Sequence, residues 1–241
     1  MRILITNDDS VSSAVLIPLV RWAMKHGDVT VCVPKFEQSA KSHAIELRSA
    51  FEVKKIDLVE GADCYTVDST PADCVRYAVL GLDKEYDLVI SGINKGYNMG
   101  QDIIYSGTVS AVMEGAYLGI KGVAVSTDVG TFTEAMAKLD EVYDYFKERR
   151  LFDLNMVYNV NIPPRAGGIL ITRQGGAFYT DSFEPIGNDM YQPTGRCVYE
   201  DTGDDDIDTN AVMHGHISVT PLALNRTEMK VFEGLNEGAE I

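Results

Sequence analysis

The first 34 residues contain the pattern that most constrains the fold of this chain. A short apolar run from Arg2 to Thr6 predicts a buried strand, and the segment from Asp28 to Pro34 predicts a second one. Between them, apolar residues recur at helix spacing up to about Lys25, with Pro18 in the first turn and Gly27 as a stop. A strand, a helix and a strand in so short a span form a βαβ unit, whose two strands lie parallel in one sheet.

The alternation of strand and helix continues through the first 150 residues. Helices are predicted from Pro71 to about Leu80, from Gly107 to Gly119 and from Thr133 to Arg149, and strands from Leu88 to Ser91 and from Gly122 to Ser126. Short strands are also predicted at Ala44 to Arg48, Phe51 to Ile56 and Cys64 to Val67, as an antiparallel excursion beside the main sheet. The fold class is therefore α/β, with a Rossmann-like, doubly wound and mostly parallel sheet.

The part of the chain after residue 150 has a less regular pattern. Strands are predicted at Tyr158 to Ile162, Ile169 to Thr172 and His216 to Leu222, extended hairpins at Gly175 to Tyr199, and a weakly helical tail up to Ile241. We expect a core over residues 1–150 and a region over residues 151–241 that adds the remaining strands, the hairpin and the tail. Together they form one structural domain.

Charge and composition exclude several classes of function. The 241 residues carry a formal net charge of −15, which argues against binding to a nucleic acid duplex. No run of about 18 uncharged apolar residues is available to cross a membrane, and the N-terminus does not resemble a signal peptide. The four scattered cysteines predict free thiols, so we expect a cytoplasmic protein.

A dense acidic run extends from Glu200 to Asp208. Calcium binding is one interpretation, but the run lacks the glycine and the terminal glutamate of an EF-hand loop. A solvated acidic loop is the alternative that we expect.

The stretch from Ser91 to Gly119 predicts a binding loop between a buried strand and a helix. It contains several glycines, which let the backbone approach a ligand closely. Ser106 and Thr108 stand where the helix exposes free N–H groups, a position that favours an anion.

Oxygen donors collect where three predicted elements reach the carboxyl edge of the sheet. Asp8 and Asp9 end the first strand, Ser39 follows the second, and Asn94 follows the strand that ends at Ser91. Such donors suit Mg²⁺, Mn²⁺ or Ca²⁺, and two adjacent carboxylates are costly unless a cation neutralises them. A metal beside an anion-binding helix N-terminus describes a site for phosphoryl transfer.

Five sequence blocks carry a resemblance to a known family. They are ILITNDDS near the start, the Ser39 loop, STPADCV from Ser69, SGINKGYNMGQDIIYSGTVSAVMEG from Ser91, and SVTPL from Ser218. In this order they resemble the survival protein E family of metal-dependent nucleoside monophosphate phosphatases. The block from Ser91 is highly specific, whereas SVTPL alone means little.

The resemblance implies a function and a set of site residues. One divalent cation per subunit, Mg²⁺ or Mn²⁺, would be bound by Asp8, Asp9, Ser39 and Asn94. The substrates would be nucleoside 5′- and 3′-monophosphates, with short polyphosphate in some members. The resemblance also implies a projecting C-terminal hairpin that forms a dimer or tetramer, and a C-terminal segment exchanged between subunits.

The expected mechanism is metal-assisted hydrolysis. We expect the phosphoryl oxygens to be held by Asn98, Ser106 and Thr108. Asp8 or Asp9 is expected to orient the attacking water. His43, which follows the Ser39 loop, is a candidate general acid, although a structural role is the alternative for a lone histidine.

Two other hypotheses remain open, and a departure from the family pattern motivates the first. The family usually has glycine after the acidic pair, and this chain has Ser10, which adopts a positive backbone angle less easily. A catalytically impaired nucleotide or metal sensor of the same fold is therefore one alternative. An aspartyl-phosphate on Asp8 is the other, and it is disfavoured because such enzymes separate the two acidic residues by one position.

Overall fold

The computed structural model describes residues 1–236 as a nine-stranded sheet covered by helices, together with a separate two-stranded hairpin. The strands are β1 (Arg2–Thr6), β2 (Asp28–Pro34), β3 (Val53–Ile56), β4 (Asp63–Val67), β5 (Leu88–Lys95), β6 (Lys121–Thr127), β7 (Val157–Ile162), β8 (Ile169–Ile171), β9 (Tyr179–Gly187), β10 (Met190–Cys197) and β11 (Ile217–Pro221). The α-helices are α1 (Leu16–Ala23), α2 (Pro71–Arg76), α3 (Gly107–Tyr117), α4 (Phe132–Glu148), α5 (Asp208–Met213) and α6 (Met229–Asn236). The weakly helical tail predicted up to Ile241 is thus a helix as far as Asn236, and its last five positions lie outside the described residues.

The large sheet has the order β3-β4-β2-β1-β5-β6-β7-β11-β8. All neighbouring strands are parallel except β3 with β4 and β11 with β7. The chain leaves β1 towards β2 and later returns to the other side of β1 as β5, so β1 marks the point where the strand order reverses. In open parallel sheets this position places ligands at the carboxyl ends of the strands.

Two hydrophobic clusters cover the two faces of the sheet, and successive side chains of β1 belong alternately to one cluster and the other. Ile3 and Ile5 are buried in the cluster that includes Leu16 of α1 and Leu139 of α4. Leu4 is buried in the opposite cluster, with side chains of α2 and α3. Because successive side chains of a strand point to opposite faces, one apolar strand supplies both layers of a doubly wound fold.

The residues predicted to begin the helices around the site are found at the first positions of those helices. Thr70 caps α2 by accepting a hydrogen bond from the Asp73 N–H at 3.1 Å, and Pro71 is the first helical residue. Ser106 caps α3 by accepting from the Val109 N–H, also at 3.1 Å.

Two predictions for residues 44–67 need correction. Residues 44–48 form a loop and not a strand, because their polar groups bond to α2 and its cap. The Thr70 hydroxyl donates to the Ala44 carbonyl, and the Glu46 N–H donates to Asp73. The antiparallel excursion is also reduced, since β4 is a parallel member of the main sheet and only β3 runs antiparallel at its edge.

The region after residue 150 completes the main sheet. β7, β11 and β8 extend it beyond β6, and β9 and β10 form the predicted hairpin, whose side chains are almost all exposed. Within residues 1–236, no helix is both long enough and apolar enough to span a membrane.

Candidate metal and phosphate site

Asp8 is the central side chain of the candidate site. It follows β1 directly, only 4% of its surface is exposed, and its Oδ1 accepts a hydrogen bond of 2.5 Å from the Thr108 hydroxyl. Burial raises the pKa of Asp8 from 3.8 to about 6, against the lowering effect of the Thr108 hydrogen bond. A carboxylate that is costly to ionise in this place is one that a bound cation would stabilise.

Asp9 lies next to the end of β5. The Lys95 N–H donates to its Oδ2 at 3.0 Å, which brings Asp9 beside Asn94, the preceding residue of the strand. Burial is again the main cause that raises the pKa of Asp9 above its ordinary value. The Asn94 side-chain amide donates to the Gly96 carbonyl at 2.8 Å, so its Oδ1 is left as an acceptor.

The loop that follows β2 is joined to Asp8 through the backbone. The Gln38 N–H donates to the Asp8 carbonyl at 2.8 Å, which places Ser39 one residue from this contact. The Ser39 hydroxyl itself is exposed and donates to Glu37 at 2.7 Å.

The space beside Asp8 at Gly107 is open enough for a hard cation to approach the carboxylate. A Cβ atom at this position would lie 3.0 Å from Asp8 Cβ and 3.2 Å from Asp8 Oδ2, so glycine keeps this side of the carboxylate open. Within residues 1–236, no group of three or more His, Cys, Asp or Glu side chains converges as a metal site. A cation held here would draw on the two carboxylates together with amide and hydroxyl oxygens, which suit Mg²⁺ and Mn²⁺.

The start of α3 offers N–H groups that point towards the candidate site. A helix leaves its first N–H groups without intrahelical acceptors, and here the Ser106 side chain satisfies only that of Val109. The Thr108 hydroxyl is engaged with Asp8 and fixes the orientation of the carboxylate. Thr108 thus joins the first turn of α3 to the acidic pair.

Asn98 begins the segment of residues 98–108, which we call the phosphate loop after its predicted role, and β7 holds its backbone. Asn161 accepts from the Asn98 N–H at 2.9 Å and donates to the Asn98 carbonyl at 2.8 Å, while Asn159 donates to the same carbonyl at 2.7 Å. The Asn98 side chain donates to Ser126 at 2.8 Å. Both β7 asparagines are fully buried. Sequence reasoning missed this pair, although two amides alternating within an apolar strand are a signal for buried polar contacts.

Asp208, the last residue of the acidic run, holds the next part of the phosphate loop. Its carboxylate accepts hydrogen bonds from the N–H groups of Gly100 at 2.9 Å, Gly175 at 2.8 Å and Thr209 at 2.8 Å. Burial raises the pKa of Asp208, and these three bonds lower it. Asp208 is fully buried, whereas the expectation for the run was a solvated loop. For this residue the expectation is wrong.

His43 is bound away from Asp8. Its Nε2 lies 2.8 Å from Glu114 Oε2, and Arg76 donates to the other oxygen of the same carboxylate at 2.9 Å. The His43 bond lowers the pKa of Glu114, with a smaller contribution from Arg76. The contacts of His43 are those of a residue that fastens the Ser39 loop to α3.

Ser10 adopts the backbone conformation for which glycine was expected. Its φ is +69°, in the left-handed region. The Asn7 side chain donates to the Ser10 carbonyl at 2.9 Å, and the hydroxyls of Ser10 and Ser12 are 2.8 Å apart. These contacts hold the strained angle, so serine preserves the turn after the acidic pair.

Comparison with known proteins identifies the family. The model of the family described as survival protein SurE matches residues 3–181. This chain belongs to the SurE family. The resemblance predicted from the five sequence blocks is thereby confirmed.

Individual SurE proteins match over the whole chain. The 5′-nucleotidase SurE of Thermosipho melanesiensis is 37% identical, with 100% of this chain and 98% of that protein covered. The 5′-nucleotidase SurE of Desulforudis audaxviator is 38% identical, with 98% and 97% covered. The crystal structure of the SurE protein from Aquifex aeolicus has 34% sequence identity and a TM-score of 0.79, with 100% of both chains covered. The predicted α/β class and C-terminal hairpin are confirmed for this SurE protein.

Proposed function

We propose that this protein is a phosphomonoesterase that hydrolyses nucleoside 5′- and 3′-monophosphates with one Mg²⁺ or Mn²⁺ per subunit. The observation that carries the proposal is the hydrogen bond between Asp8 and Thr108. It joins the acidic pair, of which Asp8 is buried, to the first turn of α3, so a cation and a phosphate group would meet at one point. The names of the relatives, 5′-nucleotidases, agree with this activity.

We assign the cation to Asp8, Asp9, Ser39 and Asn94. Two carboxylates and two neutral oxygens match the preference of Mg²⁺ and Mn²⁺ for hard donors. When bound, the cation supplies Lewis-acid polarisation of the phosphate and lowers the pKa of water. In this assignment the Ser39 hydroxyl would give up its hydrogen bond to Glu37 when it binds the cation.

The phosphoryl oxygens are assigned to Asn98, Ser106 and the N–H groups of the first turn of α3. β7 and the helix cap fix the backbone of these residues before an anion arrives, and Asn98 would contribute the side-chain amide proton that it does not donate to Ser126. Such preorganised donors stabilise the charge that spreads over the equatorial oxygens in the transition state. Thr108 has two roles in this assignment. Its side chain orients Asp8, and its backbone N–H is one of the donors to the anion.

An acidic residue must also orient the attacking water. Asp9 is the better candidate of the pair, because its Oδ2 is bonded only to a backbone N–H and it is half-buried. Asp8 is more deeply buried and is tied to Thr108.

The decisive experiment measures phosphate release from AMP by the full chain with Mg²⁺ or Mn²⁺, and with EDTA. We expect Asp8→Asn and Asn94→Ala to abolish the release while the far-UV circular dichroism stays unchanged. Asp83→Asn, on an exposed turn, is the matched control and should retain activity. Near-wild-type turnover in either site variant would remove the metal assignment, and AMP binding without turnover under both metals would favour the sensor hypothesis.

We also propose that the region 151–241 serves assembly into a dimer or tetramer. The hairpin exposes large apolar side chains, among them Phe183, Ile186 and Tyr191, and α6 exposes Phe232 and Leu235. Exposed apolar patches of this kind are typical of subunit contacts. Exchange of the C-terminal segment would cover the face of α6. Light scattering of Phe183→Asp against the wild type tests the hairpin contact.

The core over residues 1–150 then binds the metal and phosphate, and both regions form one domain because β7, β8 and β11 belong to the main sheet. A cytoplasmic location is also part of the proposal. It agrees with four free cysteines, three of which are buried.

A further inference from the structure

A cavity of about 430 Å³ lies at the edge of the sheet opposite to Asp8. It is lined by Met1 and by the first residues of β5 and β6, Leu88 and Lys121, which place it at the amino ends of the strands. α1 and α4 form its walls. Its volume falls within the range of roughly 300–1,000 Å³ that small-molecule sites occupy. We call it the basal pocket.

The interior of the basal pocket is apolar with one aromatic wall. Val123 of β6 and Phe146 of α4 are among its aliphatic and aromatic lining residues. The rings of His26 and Tyr143 have centroids 4.2 Å apart, and those of Trp22 and His26 are 4.7 Å apart. A wall of packed rings offers flat surface to another aromatic ring system, with which offset or edge contacts are favourable.

One polar atom of this wall lacks a partner. The Nε2 of His26 is buried and makes no hydrogen bond within the described residues. Buried polar atoms are nearly always paired, and an unpaired one costs about 1–3 kcal/mol. The neighbouring Trp22 is satisfied, since its Nε1 donates to Asp140 at 2.7 Å. His26 Nε2 is closed off by protein atoms, so the polar recognition of a ligand falls to the charged groups of the rim.

The rim of the basal pocket is positively charged on a protein of net charge −15. Among its charged groups, Arg150 is paired with Asp153, and Asp87 is paired with Arg2. The two lysines of the rim, Lys121 and Lys147, take part in no ion pair of residues 1–236. After the pairs cancel, the two lysines leave positive charge at the rim, which attracts an anion.

We propose that the basal pocket is a second ligand site, distinct from the phosphate site, and that it takes a small aromatic carboxylate. The ring system of the ligand would pack against Tyr143 and His26, and its carboxylate would meet Lys121 and Lys147 at the rim. This assignment is independent of the proposed nucleotidase activity, because none of these residues belongs to the metal or phosphate site.

The test uses 1-anilinonaphthalene-8-sulfonate, an aromatic anion whose fluorescence rises in apolar surroundings, on the full chain. We expect one saturable site per chain, from which 2-naphthoate displaces the dye. Absence of saturable binding would overturn the proposal. Displacement by dodecanoate but not by 2-naphthoate would overturn the aromatic assignment, because a flexible alkyl chain would then be the preferred occupant.

Two kinds of variant locate the binding. The double change Lys121→Glu with Lys147→Glu should weaken dye and naphthoate binding at least tenfold, whereas Lys138→Glu, on α4 but outside the pocket, should leave both unchanged. Val123→Phe should fill the pocket and abolish saturable binding. The charge variant alters only surface groups and remains decisive if the filled protein does not fold. Unchanged affinity in it would assign the dye to another surface, such as the exposed hairpin, and refute the proposal.

Discussion

Asp8→Asn is expected to make the metal-free protein more stable while it removes the activity. Asp8 is buried, and its pKa is raised from 3.8 to about 6. The folded state therefore binds a proton more tightly than the unfolded state, so stability is lost as the pH rises from about 4 through 6. Asparagine carries no charge and does not pay this cost.

The size of the effect follows from the raised pKa. Each pH unit between the ordinary and the raised pKa of Asp8 corresponds to about 1.4 kcal/mol, so the ionised carboxylate destabilises the fold by about 3 kcal/mol at pH 8. At pH 5, between the two values, the difference between variant and wild type should be about half as large. Thr108 can still donate to the asparagine oxygen, so the packing of the site is preserved.

The assay is urea unfolding of both proteins in EDTA at pH 8 and at pH 5. Asp83→Asn, which is exposed, should unfold like the wild type. Adding Mn²⁺ should stabilise the wild type and not Asp8→Asn, because only a native state that binds the ion is favoured. A variant that is no more stable than the wild type at pH 8, or whose gain is the same at both pH values, would refute the reasoning.

Three further variants probe the supports of the site. Gly107→Ala would place a methyl group 3.0 Å from Asp8 Cβ and 3.2 Å from Asp8 Oδ2, so the carboxylate must shift and we expect kcat to fall at least tenfold. An unaltered kcat would contradict the inference that glycine keeps this side of Asp8 open. Asn161→Leu deprives the Asn98 N–H of its acceptor, and chemical denaturation should show a loss of about 1–3 kcal/mol, with less than 1 kcal/mol arguing against the network. Asp208→Asn loses one acceptor oxygen, so the KM for AMP should rise more than kcat falls; an unchanged KM would mean that it does not order the phosphate loop.

Most of the fold was predictable because local signals agreed with one another. β1 and β2 have the predicted bounds, since each is rich in buried apolar residues and is followed directly by a polar one. Residues 44–48 were mistaken for a strand because their alternation of polar and apolar types is the only signal in a short segment. What decided their conformation was the Asp73 carboxylate, which takes the Glu46 N–H and lies far along the sequence.

The residues of the candidate site likewise fall into those that local sequence signals predicted and those that they did not. Polar residues at strand ends and helix caps, such as Asp8 and Ser106, have a local meaning and were predicted as site residues. Asn161 and Asp208 support the phosphate loop through contacts with backbone atoms, and such contacts leave no mark on the sequence near the loop. At Ser10 the sequence suggested a difficulty that the structure resolves. Serine rarely adopts a positive φ, but here it does so because Asn7 donates a hydrogen bond to its carbonyl.

The hydrogen bonds that hold the phosphate loop determine the order in which the two halves of the site can form during synthesis. Asn98 and Gly100 are held by Asn159, Asn161 and Asp208, which lie 61, 63 and 108 residues later in the chain. During synthesis the acidic pair emerges first, and the groups that fix the loop emerge only after about two thirds of the polypeptide has been made. A growing chain on the ribosome would thus carry every assigned metal ligand before it has an ordered phosphate loop. Hydrolysis would begin only once the chain is nearly complete.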